Sequence, residues 1–149
     1  MKWITREKAV IDRVACPWLI ARFIDAEPEF LFVARERVFE TAQRERAIPY
    51  DIPGAELSHE GERCSFDTML RKYQLSDPAL AQLATIVRGA DTDRLELAPQ
   101  AAGLLAISVG MGRLCADDHA LLAVMFPLYD ALYAWCKDAR DTRHAWQPA

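Results

Sequence analysis

Three short stretches of this chain gather the residue types that can do chemistry. "REKAVIDRVACPW", from residue 6, carries Arg6, Asp12, Arg13, Cys16 and Trp18. "HEGERCSFD", from residue 59, carries His59, Cys64 and Asp67, and "RGADTDR", from residue 88, carries Arg88, Asp91 and Asp93. A guanidinium is planar, always charged and forked, so Arg6 and Arg13 suit a tetrahedral oxyanion. His59 titrates near neutral pH and could help hold the same anion. A thiol beside arginines and a helix start has a lowered pKa, which makes Cys16 and Cys64 candidate nucleophiles. Imidazole, thiolate and carboxylate also bind divalent transition metals. That points to His59 with Asp91 or Asp93, and Cys64 as a further ligand, although the H-x4-C-x2-D spacing belongs to no standard zinc pattern. Plainer roles stand beside each of these. Arg13 could pair with Asp12 or Asp25, Cys16 could simply pack, His59 could sit in a capped turn, and Asp91 and Asp93 could pin arginines.

The elements that would position these groups fall into two halves. "KWIT" (2–5), "EFLFVA" (29–34) and "AIPYDI" (47–52) read as strands, the last at an edge because of Pro49. Asp12 is a plausible cap for a helix whose stripe is Val14, Trp18, Leu19 and Phe23, with Pro17 tolerated only in its first turn. A surface helix over 35–46 has a narrow apolar face of Val38, Phe39 and Ala42. Strands alternating with crossover helices predict a small, mostly parallel three-stranded sheet. The rest reads as helices over 66–73 capped by Ser65, 78–88 stopping at Gly89, 99–113, and 118–137 with a kink at Pro127. The class is α+β with a helical C-terminal half. If the four helices alternate up and down, His59, Cys64, Asp67, Arg88, Asp91 and Asp93 share one end and "DDH" at 117–119 lies at the other. Ligands in open parallel sheets favour the carboxyl ends of the strands, where Arg6, Arg13 and Cys16 would fall.

Composition bounds what this arrangement can be. The chain has 149 residues, 52% hydrophobic and 27% charged, with a net charge of -4. That suits one domain, read as 1–139 with a flexible tail at 140–149. The acidic balance argues against a direct nucleic-acid surface, which needs a basic face. "MKWITREKAVIDR" has no signal-peptide core and "AAGLLAISVGMG" is too short to span a bilayer, so a cytoplasmic protein without membrane contact is expected. The four cysteines at 16, 64, 115 and 136 form no CxxC pair and are expected to be reduced. Cys115 and Cys136 read as small core residues. The aromatic set Phe126, Tyr129, Tyr133 and Trp135 fits a core or a dimer surface.

At "IDRVACPWLIARFID", "HEGERCSFDTML", "RGADTDRLELAPQAAGLLAIS" and "YDALYAWC" the sequence resembles the C-terminal domain of the ChrB chromate-resistance proteins, over about residues 2 to 137. The resemblance implies a part in bacterial chromate resistance, a metal stress response in which the longer ChrB proteins are chromate-responsive regulators of an efflux operon. It implies that Arg6, Asp12, Arg13, Cys16, Trp18, Arg22, His59, Cys64, Asp67, Arg88, Asp91 and Asp93 are family-pattern residues that build the sensing site. The chain lacks the additional N-terminal region of the longer regulators, so direct transcriptional control by it alone is not expected. Three functions follow as alternatives. One is binding or sensing of chromate or a related oxyanion through the arginine/histidine site. Another is a thiol- or metal-dependent enzyme acting on chromate or sulfur compounds. The third is a structural partner that forms a homo-oligomer or docks on a separate regulator chain. A divalent transition metal is the candidate cofactor.

Overall fold

A computed structural model describes residues 1–149. The sheet has three parallel strands, β1 (Lys2–Arg6), β2 (Glu29–Val33) and β3 (Ile48–Pro49), in the order β2-β1-β3. Lys2 faces Glu29 and Arg6 faces Val33 across the first ladder, while Trp3 faces Ile48 across the second. The third strand is shorter than the sequence predicts. Pro49 has no N–H for the ladder, and Asp51 turns to a φ of 47°, leaving the extended region.

Strand alternation sends β1's side chains to both faces. Trp3 joins the main core, and Ile4 joins a smaller cluster with Val38, Ala42, Ala47 and Ile52 under helix α2 (Val38–Glu45). Crossover helix α1 (Asp12–Leu19) lies on the other face and puts Val14, Trp18 and Leu19 into the main core. Two helices on opposite faces are what right-handed crossovers to either side of a central strand require.

The helical half comprises α3 (Ser65–Lys72), α4 (Pro78–Asp91), α5 (Ala101–Leu114) and α6 (Asp118–Asp138). The fold class is the α+β architecture predicted, but five local expectations change. Asp12 is the first helical residue of α1 rather than its cap, and Ile11 takes the cap position at a φ of 36°. Pro17 lies beyond the first turn of α1, which continues as a π-helical segment over Ile20–Ile24. Cys64, not Ser65, occupies the cap position of α3, where its backbone N–H donates to Asp67 at 3.0 Å. The helix predicted to stop at Gly89 runs on to Asp91, because that glycine is a packing residue: a Cβ there would lie 2.9 Å from the Ala101 Cβ. Finally, 117–119 is not remote from the end of β1, because the Asp118 carboxylate accepts from the backbone N–H groups of Lys8 and Ala9 at 2.9 and 2.6 Å.

Helix α6 runs through Pro127 and is long and apolar enough, with a mean hydropathy of 1.2, to cross a membrane by length and composition. In this fold its Leu121, Leu122, Met125, Tyr129 and Cys136 are buried in the main core. Residues 142–149 carry no regular secondary structure.

Candidate functional site

In an open parallel sheet of order 2-1-3 the chain leaves the central strand in opposite directions, and a crevice opens at the carboxyl ends between β1 and β3. Arg6 ends β1 and Asp51 follows β3, so these two residues flank the crevice. The Arg6 Nη2 donates to the Asp51 carbonyl at 2.9 Å and lies 3.2 Å from its Oδ2. From the first turn of α1, the Arg13 Nε reaches the same Oδ2 at 3.5 Å. The turn before α3 supplies His59. Its Nε2 lies 3.0 Å from Asp91 Oδ2, 3.4 Å from Asp51 Oδ1 and 3.5 Å from Asp12 Oδ2.

Each carboxylate is held from behind. Ser65, at the start of α3, donates its backbone N–H to Asp12 Oδ2 at 2.6 Å and its hydroxyl to Asp51 Oδ1 at 2.7 Å. The Asp12 N–H in turn donates to Asp91 Oδ1 at 3.3 Å. The end of α4 and the starts of α1 and α3 are thereby tied together, with Asp12 completely buried and its Oδ1 unpartnered. Non-glycine residues at positive φ, Ile11 and Asp51, stand at two edges of the cluster. For a β-branched isoleucine that conformation is an outlier, of the kind that persists when surrounding contacts over-determine it.

The electrostatics follow from the geometry. The carboxylates of Asp12, Asp51 and Asp91 hold the His59 imidazole protonated well above its usual range, against a smaller opposing effect of burial. Burial pushes Asp12 up from the usual carboxylate range, opposed by the His59 hydrogen bond and reinforced by Asp91 and Asp51. Burial, then the neighbouring Arg6, draws Arg13 down. The hollow is therefore not electropositive. Three basic groups face three carboxylates, and His59, Arg6 and Arg13, with 42%, 25% and 17% of their side chains exposed, form its solvent side.

The structure brings together Arg6, Asp12, Arg13, His59 and Asp91 of the residues singled out by sequence. It does not add the others. Arg22 forms a two-bond pair with Asp130 of α6, each bond 2.9 Å, and its guanidinium lies over Phe126. Arg88 pairs with Asp67 at 2.7 Å and lines a separate mixed-charge cleft with Glu60, Arg63 and Arg94. Trp18 is buried; its Nε1 donates to Asp130 at 2.7 Å and its ring stacks on Phe66. Asp93 is exposed in a left-handed conformation.

The two thiols reverse the expected direction. Cys16 and Cys64 are fully buried. Burial, then the Asp12 charge, pushes both pKa values up rather than down, and the Cys64 Sγ is turned to Asp67 Oδ2 at 3.3 Å instead of to His59. Asp51 and Ser65 are the site residues that sequence reading missed. The available signal was slight: an acidic residue at the carboxyl end of a parallel strand, just before the Pro53–Gly54 turn.

Comparison with known proteins agrees with this arrangement of motifs. The family described as "ChrB, C-terminal domain" matches over residues 3–136. The chain is 35% identical to Protein ChrB of Cupriavidus metallidurans over 133 residues, which cover 89% of this chain and 40% of that protein. No solved structure matches. A family match across nearly the whole folded region, together with that identity, shows that the chain belongs to the family of ChrB C-terminal domains.

Proposed function

We infer from family membership a role related to chromate resistance. We propose that the domain carries out that role by binding chromate or a related oxyanion at the β1/β3 crevice, against Arg6, Arg13 and His59. The observation that carries this reading is the meeting of the β1 end, the first turn of α1 and the turn before α3 on one residue: Arg6, Arg13 and His59 all reach the Asp51 carboxylate, at 3.2, 3.5 and 3.4 Å. An arginine fork that holds a carboxylate can hold a tetrahedral oxyanion in the same geometry. Binding is then an exchange. The incoming dianion takes the guanidiniums from Asp51, and Asp51 keeps only Ser65 and the imidazole. The exchange releases the β3 exit from the side-chain contacts to the end of β1 and to α1, which supplies a conformational signal. The buried thiols give no support to a thiol-based reduction of chromate.

Calorimetry with chromate, and with sulfate and molybdate as redox-inert analogues, tests the reading. Saturable binding that is lost in Arg13→Ala and kept in Arg22→Ala is expected. Equal binding by both variants, or no binding by the wild type, refutes it.

A second reading, association through α5, is favoured by the apolar outer face of that helix. Ile107 and Leu114, seven residues apart and so aligned on one side of the helix, are 47% and 81% exposed there. Light scattering checks it: a dimer that Ile107→Glu converts to monomer is the expected result, and a wild-type monomer at high concentration removes it.

A further inference from the structure

We infer that Asp12, His59 and Asp91 form a binding site for a divalent first-row transition-metal ion at the base of this crevice. Hydrogen bonding accounts poorly for the cluster. The His59 Nε2 offers one proton, yet carboxylate oxygens of three residues from three separate segments lie around it at 3.0, 3.4 and 3.5 Å. N–H···O bonds cluster near about 2.9–3.0 Å and extend to about 3.2 Å, so two of these contacts are too long to be good ones.

Shared coordination accounts for the same distances. Nitrogen and oxygen ligands sit about 2.1 Å from such an ion. Neighbouring ligand atoms are then about 3.0 Å apart in octahedral geometry and about 3.4 Å apart in tetrahedral geometry. The His59–Asp91 and His59–Asp12 separations, 3.0 and 3.5 Å, span the range between those two spacings, as a distorted site would. The ligand atoms of Asp12, His59 and Asp91 all lie within 4.8 Å of one another, as one ion requires.

An independent observation comes from Asp12. Its side chain is fully buried; Oδ2, the oxygen facing His59, accepts from Ser65, but Oδ1 has no partner in the protein, a deficit that two-oxygen coordination of one ion would fill. The outer contacts also match what metal sites need. Ser65 donates to the same oxygens of Asp12 and Asp51 that face His59, and Arg6 and Arg13 hold the other Asp51 oxygen, so both carboxylates are fixed in orientation toward the imidazole. One imidazole with two carboxylates and no thiolate suits Mn²⁺, Fe²⁺ or Zn²⁺ rather than a soft ion, and the imidazole disfavours Mg²⁺.

The site stands on this geometry and does not depend on oxyanion binding. The test uses the full chain stripped with a chelator, titrated with Mn²⁺ by paramagnetic resonance and with Zn²⁺ by calorimetry. One ion per chain is expected. His59→Gln, on the solvent side of the cluster, and Asp91→Asn should each weaken binding by at least about tenfold, the smallest loss typical of disturbing even an outer partner of a metal site. Asp93→Asn, two residues away and exposed, should leave it unchanged. Circular dichroism identifies a variant that fails to fold, and the solvent-side His59→Gln is the variant least prone to that failure. The inference is overturned if the wild type binds neither ion, or if His59→Gln binds as tightly as Asp93→Asn. Molybdate titrations with and without Mn²⁺ separate this inference from the proposed function. Molybdate binding without any metal binding sinks the site and spares the oxyanion reading, while metal binding without molybdate binding does the reverse.

Discussion

Replacing Gly89 by alanine separates two accounts of why α4 contains a glycine two residues before Asp91. If Gly89 were only a helix stop, alanine would stabilise the protein by about 1 kcal/mol, the usual difference between the two residues inside a helix. The structure predicts the opposite sign. A Cβ at this position would lie 2.9 Å from the Ala101 Cβ, 3.0 Å from the Arg94 carbonyl oxygen and 3.5 Å from the Leu97 Cβ. Carbon atoms prefer separations of about 3.5–4.0 Å. Neither near neighbour can rotate away, since one is a methyl on a fully buried alanine and the other is backbone. Relief requires α4 and α5 to part, or the 94–97 turn to move, by several tenths of an ångström. Overpacking of this kind costs about 1–3 kcal/mol. After subtracting the helix-propensity gain of about 1 kcal/mol, Gly89→Ala should lose about 1 kcal/mol at the middle of that range and no more than about 2 kcal/mol. Urea unfolding should show a lower midpoint with an unchanged slope, and the thermal midpoint should fall by roughly 2–8 °C. The same displacement moves the end of α4, so metal affinity should fall along with stability. A variant as stable as the wild type, or more stable, would refute the packing account.

Other outcomes are equally specific. Asp51→Asn keeps a residue tolerant of the left-handed backbone but removes the charge that Arg6 and Arg13 share, and should cost roughly 1–3 kcal/mol; a loss under about 0.5 kcal/mol by urea unfolding would contradict the central place given to it. Treatment of the native protein with a thiol reagent should label Cys115 promptly and leave Cys16 and Cys64 unmodified until unfolding; prompt labelling of either buried thiol would revive a thiol chemistry. Tyr133, whose hydroxyl donates to Asp77, is pushed up to about 12, and burial raises Tyr50, Tyr73 and Tyr129. A raised folded value means that stability from these groups is complete below the unfolded value of about 10 and fades as pH climbs through the folded one. Tyrosinate absorbance of the folded chain should therefore lag that of the urea-unfolded chain, and coincident curves would refute the assignment.

Periodicity and punctuation in the sequence determined the architecture. The three strands, the crossover order and the helical second half are all legible, because alternation, apolar spacing and Pro or Asp caps act locally. Residue chemistry and spacing singled out Arg6, Arg13, His59 and Asp91 as candidates, and the family resemblance added Asp12. What they could not convey is which face each side chain takes. Asp12 reads as a cap because caps are common at such positions. It instead points inward, since the start of α3 arrives beside it and Ser65 offers its N–H. Cys64 reads as an activated thiol because charges surround it in sequence, but folding buries it and leaves carboxylates, not arginines, as the charges that matter. Gly89 reads as a stop because no sequence rule reveals that Ala101 will press against it. Asp51, the residue on which the whole cluster turns, is unremarked in one dimension. Its partners lie up to 45 positions away, and only the parallel pairing of β3 with β1 brings it to Arg6. Secondary structure is set by neighbours within about a turn of chain, whereas desolvation and charge pairing depend on which segments meet.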